Sequence, residues 1–269
     1  MKKSGRQRLG QHFLADSEIR ARIVEAVGIK EKENVLEIGP GRGALTGMLY
    51  RNVIGLGGTL TLIEPDKKFY PYLIAECPGV ELMEERAERV NLSELPGPLV
   101  VVSNLPYYAS VQIYKQCIEH KENISRMVLM FQKEVAKRIA ANPGIKSYGS
   151  LSVLSRYHWK MEEIITVPAS AFRPKPKVDS AVLGFIPHTK PPVDAEPEIL
   201  FPLVRAAFTH KRRTLKNNLK NIYRSESIEE AFRAANVNEK ARAETVSLEQ
   251  FAAMAGPLDG QQIAQSCER

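Results

Sequence analysis

Cysteine is scarce in this chain. Cys77, Cys117 and Cys267 are far apart and stand beside no other residues at metal-ligand spacing. So small and odd a set excludes a disulfide scaffold and predicts free thiols in a reducing compartment, hence a cytoplasmic protein with no bound metal. No apolar run approaches the length of a membrane span, so no membrane partner is expected. The N-terminal Lys2, Lys3, Arg6 and Arg8 are followed by no apolar core, so no signal peptide is expected either. There is no internal repeat and no low-complexity segment. Acidic residues are missing altogether between Ile199 and Ser225, where seven Lys or Arg accumulate. With a net charge of +7 and a pI near 9.2, that gap points to a polyanionic partner.

What is present is ordinary for a globular fold: 269 residues, 43% of them hydrophobic, enough for one large domain or a domain with an appendage. The chain is organised around Asn34-Val-Leu-Glu-Ile-Gly-Pro-Gly-Arg-Gly-Ala-Leu-Thr46. Val35, Leu36 and Ile38 form the short apolar run of a buried parallel strand. Glycines follow, and then a helical pattern of Leu45, Leu49 and Val53. Strand, glycine turn and helix open nucleotide-binding α/β sheets, the glycines letting the backbone approach a ligand. The spacing departs from the dinucleotide fingerprint and resembles motif I of S-adenosylmethionine-dependent methyltransferases. A carboxylate at Glu37 suits the sulfonium and ammonium charges of that cofactor.

Further strands are predicted over Thr59–Ile63, Val80–Met83, Leu99–Val102, Met127–Phe131, Met161–Val167 and Val178–Ile186, and helices from Asp16 to Gly28 and from Gln132 to Ala141. Their alternation predicts a doubly wound, mostly parallel, Rossmann-like sheet with its ligand at the carboxyl ends of the strands. Glu64, after the second of the long strands, is placed to accept hydrogen bonds from ribose hydroxyls. The proline-rich run from Pro187 to Pro197 reads as a linker. The expected organisation is a cofactor-binding domain over 1–187, a linker over 188–197 and a small helical domain over 198–269 that carries the acid-free basic stretch. A monomer is expected.

Asn104-Leu105-Pro106-Tyr107, directly after the fourth strand, is the most specific element. The exocyclic amine of adenine is a poor nucleophile, because its lone pair is delocalised into the ring. A site that methylates it must hold the amine by its hydrogens. The Asn104 side-chain oxygen and a backbone carbonyl at Leu105 or Pro106 can supply the two acceptors. Pro106 fixes the turn, and Tyr107 offers a flat face to an extruded base.

These motifs, with Leu9-Gly-Gln-His-Phe-Leu14, Gln132-Lys-Glu-Val-Ala-Lys-Arg138, Tyr148-Gly149, the run from Val167 to Ser180 and Phe208-Thr-His-Lys-Arg-Arg213, resemble the small-subunit ribosomal RNA adenine N6,N6-dimethyltransferase family, relatives of the erythromycin-resistance rRNA methyltransferases. The resemblance covers nearly the whole chain. It implies S-adenosyl-L-methionine as cofactor and a partly assembled small subunit as substrate, with two adjacent adenosines near the rRNA 3′ end each dimethylated. It implies that His12, Leu14 and Gly39 contact the cofactor beside Glu37 and Gly41, that Glu64 holds the ribose, and that Asn104 faces both cofactor and target amine. Phe172 would stack on the target adenine opposite Tyr107. Arg173, Lys175, Lys177, Lys211, Arg212, Arg213 and Lys216 would meet RNA.

One position departs from the family's pattern. Arg86 stands where an aspartate usually accepts a hydrogen bond from the cofactor's adenine amine, and arginine has no acceptor. Glu85 or Glu88 could substitute, and the backbone around Arg86 could still touch the ring. Two alternatives follow: a resistance-type adenine methyltransferase acting on large-subunit rRNA, and a non-catalytic rRNA-binding assembly factor.

Overall fold

The computed structural model describes residues 12–263. In chain order the elements are β1 (Phe13–Leu14), α1 (Ser17–Val27), β2 (Asn34–Ile38), α2 (Thr46–Gly55), β3 (Thr59–Ile63), α3 (Tyr70–Glu76), β4 (Glu81–Met83), β5 (Leu99–Asn104), α4 (Ser110–Glu119), β6 (Ile124–Gln132), α5 (Lys133–Ala140), α6 (Ser150–His158), β7 (Trp159–Val167), β8 (Phe172–Arg173), β9 (Ser180–Pro187), α7 (Pro197–Ala207), α8 (Leu215–Leu219), α9 (Ser225–Ala234) and α10 (Leu248–Leu258). Short 3₁₀ turns lie between several of them.

Seven strands form one sheet in the order β4-β3-β2-β5-β6-β9-β7. The run β4 to β6 is parallel, and β9 returns antiparallel to β6. The strands at its centre are apolar on both faces because helices cover both, so Val35, Leu36 and Ile38 of β2 and Leu99 to Val102 of β5 are all buried. This is the expected mostly parallel Rossmann-like methyltransferase fold. The chain order reverses at β2, with β3 on one side and β5 on the other, and in such sheets the crevice at the carboxyl ends of those strands takes the ligand. One staple outside the crevice fixes the start of the sheet. Arg126 of β6 makes a two-pronged ion pair with Glu33 (2.7 and 2.6 Å) and donates to the Val27 and Gly28 carbonyls that end α1. That pairing holds the Glu33 carboxyl below its ordinary range.

The chain divides into two compact units, residues 1–136 with 162–187, and residues 137–161 with 188–269. This differs from the boundary expected at 187. Residues 137–161 leave the sheet and join the helical unit, because α6 places Val153 and Tyr157 in the core built by Leu200 and Val204 of α7, Leu219 of α8, Phe232 of α9 and Phe251 of α10. Tyr148 donates its hydroxyl to the Val246 carbonyl (2.9 Å), and the Gly144 N–H reaches Glu244 O (2.7 Å). The segment carries no linker composition, because it returns to the sheet through β7. No helix among the described residues is long and apolar enough to cross a membrane.

Candidate active site

Four chain segments meet at the carboxyl ends of β2, β3 and β5, and hydrogen bonds between them fix their mutual positions. Ser103 of β5 donates to Ile38 O (2.6 Å), and the Gly39 N–H reaches Ile63 O (2.9 Å). The Glu64 N–H bonds Met83 O (3.1 Å), and the Leu105 N–H bonds Met130 O (3.3 Å). The glycine turn needs its glycines: Gly39 and Gly41 have φ of +67° and +55°, and a Cβ on Gly41 would lie 3.3 Å from the Phe13 ring. Between these segments lies a cavity with an empty volume of about 910 Å³, its solvent-facing mouth included. Its walls bring together most of the residues expected from sequence: His12 and Leu14; Glu37, Gly39 and Gly41; Glu64; and Asn104 through Tyr107. They add Phe13, Pro40, Ala44, Leu45, Pro65, Asp66 and Tyr108, which carried no sequence signal as ligands.

Two carboxyls define the electrostatics. Glu37 is 2% exposed, and its Oε2 has no hydrogen-bond partner. Burial pushes its pKa up to about 8, the charges of Glu76 and Glu64 push the same way, and the Thr46 side chain works against them. Glu64 is better satisfied. It accepts the N–H groups of Gly41 (3.0 Å) and Asp66 (2.9 Å), which oppose the upward push of its burial. A buried acidic oxygen without a donor on a cavity wall suits a ligand that brings positive charge. No group of three or more His, Cys, Asp or Glu side chains among the described residues could hold a metal ion.

At the other end of the cavity Asn104 closes β5, and none of the described residues hydrogen-bonds its side-chain amide. The Pro106 carbonyl already accepts the Ala109 N–H (3.0 Å). Tyr107 is held at both ends: its hydroxyl bonds the buried Ser180 hydroxyl (2.8 Å), and its ring lies 5.7 Å from that of His12 at 32°. Asp179, next to Ser180, accepts the Ala169 N–H (3.0 Å) in the turn that leads into β8. Ser180 and Asp179 were visible in sequence only as members of a motif.

The N-terminal segment reaches the cavity because β1 pairs antiparallel with β8, Phe13 opposite Arg173 and Leu14 opposite Phe172. His12 Nδ1 lies 2.7 Å from the Pro174 carbonyl. The same ribbon carries Phe172, expected to stack on the target adenine. Phe172 is 0% exposed, packed in the core with Leu14, Val167, Ala171 and Val182, and does not line the cavity. Arg86 also does not line the cavity: it is exposed, and its N–H bonds the Glu85 carboxylate (2.7 Å). Glu85 further pairs with Arg89 (3.9 Å).

The cations fall into two sets. Arg173, Lys175 and Lys177 are exposed on the segment tied to His12. Lys211, Arg212 and Arg213 are exposed in the helical unit, between α7 and α8. Lys216 stands apart from its neighbours, because it pairs with Glu239 (3.1 Å) and Glu229 (3.4 Å), whose carboxylates raise its pKa. Of the cations expected at RNA, it is the one whose charge is already paired within the protein.

The chain is 40% identical over 260 residues to the ribosomal RNA small subunit methyltransferase A of Magnetococcus marinus, a match covering 94% of this chain and 91% of that protein. Among solved structures it is similar to a dimethyladenosine transferase from Plasmodium falciparum, with a TM-score of 0.77 and 26% identity over 90% of this chain and 96% of that one. It is also similar to the 23S rRNA methyltransferase ErmE, with a TM-score of 0.73 and 26% identity over 92% and 99% of the two chains. The family profile for ribosomal RNA adenine dimethylase matches residues 2–259. By this match across nearly its whole length, in sequence and in fold, the chain belongs to the ribosomal RNA adenine dimethylase family.

Proposed function

We propose that this chain dimethylates the exocyclic amines of adenosines in small-subunit rRNA, using S-adenosyl-L-methionine and acting in the cytoplasm on a partly assembled subunit. The adenosines are two adjacent ones near the 3′ end. The observation that carries this reading is Asn104, an uncommitted amide at the end of β5 on the wall of an acidic cavity, within a turn that a proline stiffens. When bound, the cofactor supplies a methyl group activated by its sulfonium. Glu37 and Glu64 fit it: the first offers the unsatisfied buried oxygen that a cation needs, the second carboxylate oxygens for ribose hydroxyls.

The chain's own work is positioning. The Asn104 oxygen and a backbone carbonyl, that of Leu105 or the second lone pair of Pro106, accept the two amine hydrogens. Held this way, the amine's lone pair is directed out of conjugation. Tyr107, fixed by Ser180 and faced by His12, gives the adenine a rigid surface on which to stack. No strong general base is required, since a methylated and briefly cationic amine loses its proton readily. Arg173, Lys175 and Lys177 beside the cavity, and Lys211, Arg212 and Arg213 in the helical unit, meet RNA phosphates.

The test is to incubate the protein with labelled cofactor and either immature small subunits or protein-free large-subunit rRNA, and to map dimethyladenosine. Label in adjacent small-subunit adenosines is expected. Label only in large-subunit rRNA would make the chain a resistance-type enzyme. Absence of both label and cofactor binding would make it a non-catalytic assembly factor.

A further inference from the structure

Tyr108 is unlike its neighbour Tyr107. It is 61% exposed, lines the cavity, and makes no hydrogen bond among the described residues. Large side chains so exposed are otherwise absent from that wall. A ring held in water at the mouth of a ligand cavity has no packing reason to be there, and its flat face is what a planar heterocycle would cover.

Its surroundings say which heterocycle. Partial burial raises the pKa of its phenol, and the charges acting on it are those of Glu88 and Glu64, which push the same way, and of Arg86, which opposes them. All three residues follow β3 or β4. Asn104, Tyr107, His12 and Pro174 belong instead to the side of the cavity bounded by β5 and the β1–β8 ribbon. The sheet order β4-β3-β2-β5 separates the two sides. If Glu64 holds the ribose, the purine attached to that ribose lies beyond it, on the β3–β4 side, away from Asn104.

On this basis, and resting on the cofactor assignment above, we propose that Tyr108 is a cofactor-binding residue whose ring stacks on the adenine of S-adenosylmethionine. Stacking uses the ring face and needs no acceptor, so it works beside Arg86, which offers none. Glu88 is the free acceptor on the same side: its carboxylate has no partner among the described residues, whereas Glu85 is engaged by the Arg86 N–H and Arg89.

Calorimetry on the full chain tests this, with S-adenosylmethionine and with 5′-methylthioadenosine, which carries purine and ribose but no amino-acid arm. Because Tyr108 is exposed, its substitution leaves folding intact, and equal melting temperatures would verify that. Tyr108→Ala should weaken both ligands by the same factor, on the order of tenfold for one lost stack. Tyr108→Phe should restore both, and rRNA affinity without cofactor should stay at the parent value in both variants. An Ala variant with parental cofactor affinity overturns the proposal, and a simultaneous loss of rRNA affinity would assign the ring to the RNA instead. Failure of Tyr108→Phe to restore binding would also overturn it, by showing that the hydroxyl rather than the ring is used. A parent protein that binds neither ligand would mark a different failure, that of the cofactor assignment itself.

Discussion

The cavity of the sheet unit and the basic stretch of the helical unit solve opposite problems. In the cavity the charges are acidic and few. Glu37 and Glu64 are buried, and the Gly41 and Asp66 N–H groups set the surroundings of Glu64. Between α7 and α8 the charges are basic and exposed, and Lys211, Arg212 and Arg213 have no carboxylate partner within ion-pair distance among the described residues. A buried charge is sensitive to every neighbouring dipole, so its position matters to a fraction of an ångström. Exposed charges are averaged by solvent and act through number and through released counterions. The contrast separates two tasks, choosing an atom and gripping a polymer, and each can be disturbed without the other.

The largest effect should come from Asn104→Ala. Losing an oriented acceptor for the target amine commonly costs about 2–4 kcal/mol in the transition state. Single-turnover methylation should therefore fall by about 30-fold to 10³-fold, while rRNA affinity stays near parental. Turnover close to the parent rate would put the active site elsewhere.

Replacing Lys211, Arg212 and Arg213 together with alanine addresses the other side. The slope of log affinity for rRNA against log salt should flatten by up to roughly 2.7, for about three phosphate contacts, with cofactor binding unchanged. Lys216→Ala sharpens the comparison, because that lysine is already paired with Glu229 and Glu239 and should leave the slope as it was. If Lys216→Ala flattened the slope as much as the triple variant does per residue, exposure and pairing would not be the distinction that matters.

Glu37→Gln tests the burial of acid by its pH dependence. The carboxyl has a pKa of about 8 in the folded protein against 4.5 ordinarily, so the folded state holds a proton that the unfolded state loses across that window. Stability of the ligand-free parent should fall as pH rises from 4.5 to about 8, by at most roughly 1.4 kcal/mol per pH unit from this group, and then level off. The glutamine variant lacks that loss, so its melting temperature should gain on the parent's as pH rises through the window. A gap that ignores pH would mean that Glu37 is ionised in the free protein. Arg86→Asp should have the smallest effect, tightening S-adenosylmethionine by about tenfold, roughly 1.4 kcal/mol, if an acceptor is missing there. No improvement, together with weaker binding in Glu88→Ala, would show Glu88 already filling the role.

Much of this site was legible in the chain itself. The runs around Val35 and Val100 could only be strands buried on both faces, and Gly39 and Gly41 sit where φ is positive and a ligand wall begins. Asn104, Pro106 and Tyr107 follow their strand directly, so their meeting with Glu37 and Glu64 required only that the sheet be doubly wound. Such features depend on local pattern: apolar period, turn chemistry, and residues carried by one strand end. Others depend on partners far away in the chain. Tyr107 and Ser180 are 73 residues apart, and only the placement of β9 beside β6 brings them together. Phe172 packs into the core with Leu14 and Val182, and the packing of α6 moved residues 137–161 into the helical unit. Lys216 read as one more cation until the fold set Glu229 and Glu239 beside it. Composition and spacing determine which segments must hide from water and where the chain must turn. Which charge meets which, and which carboxyl keeps its proton, is decided by distances and burial that exist only once the chain has folded.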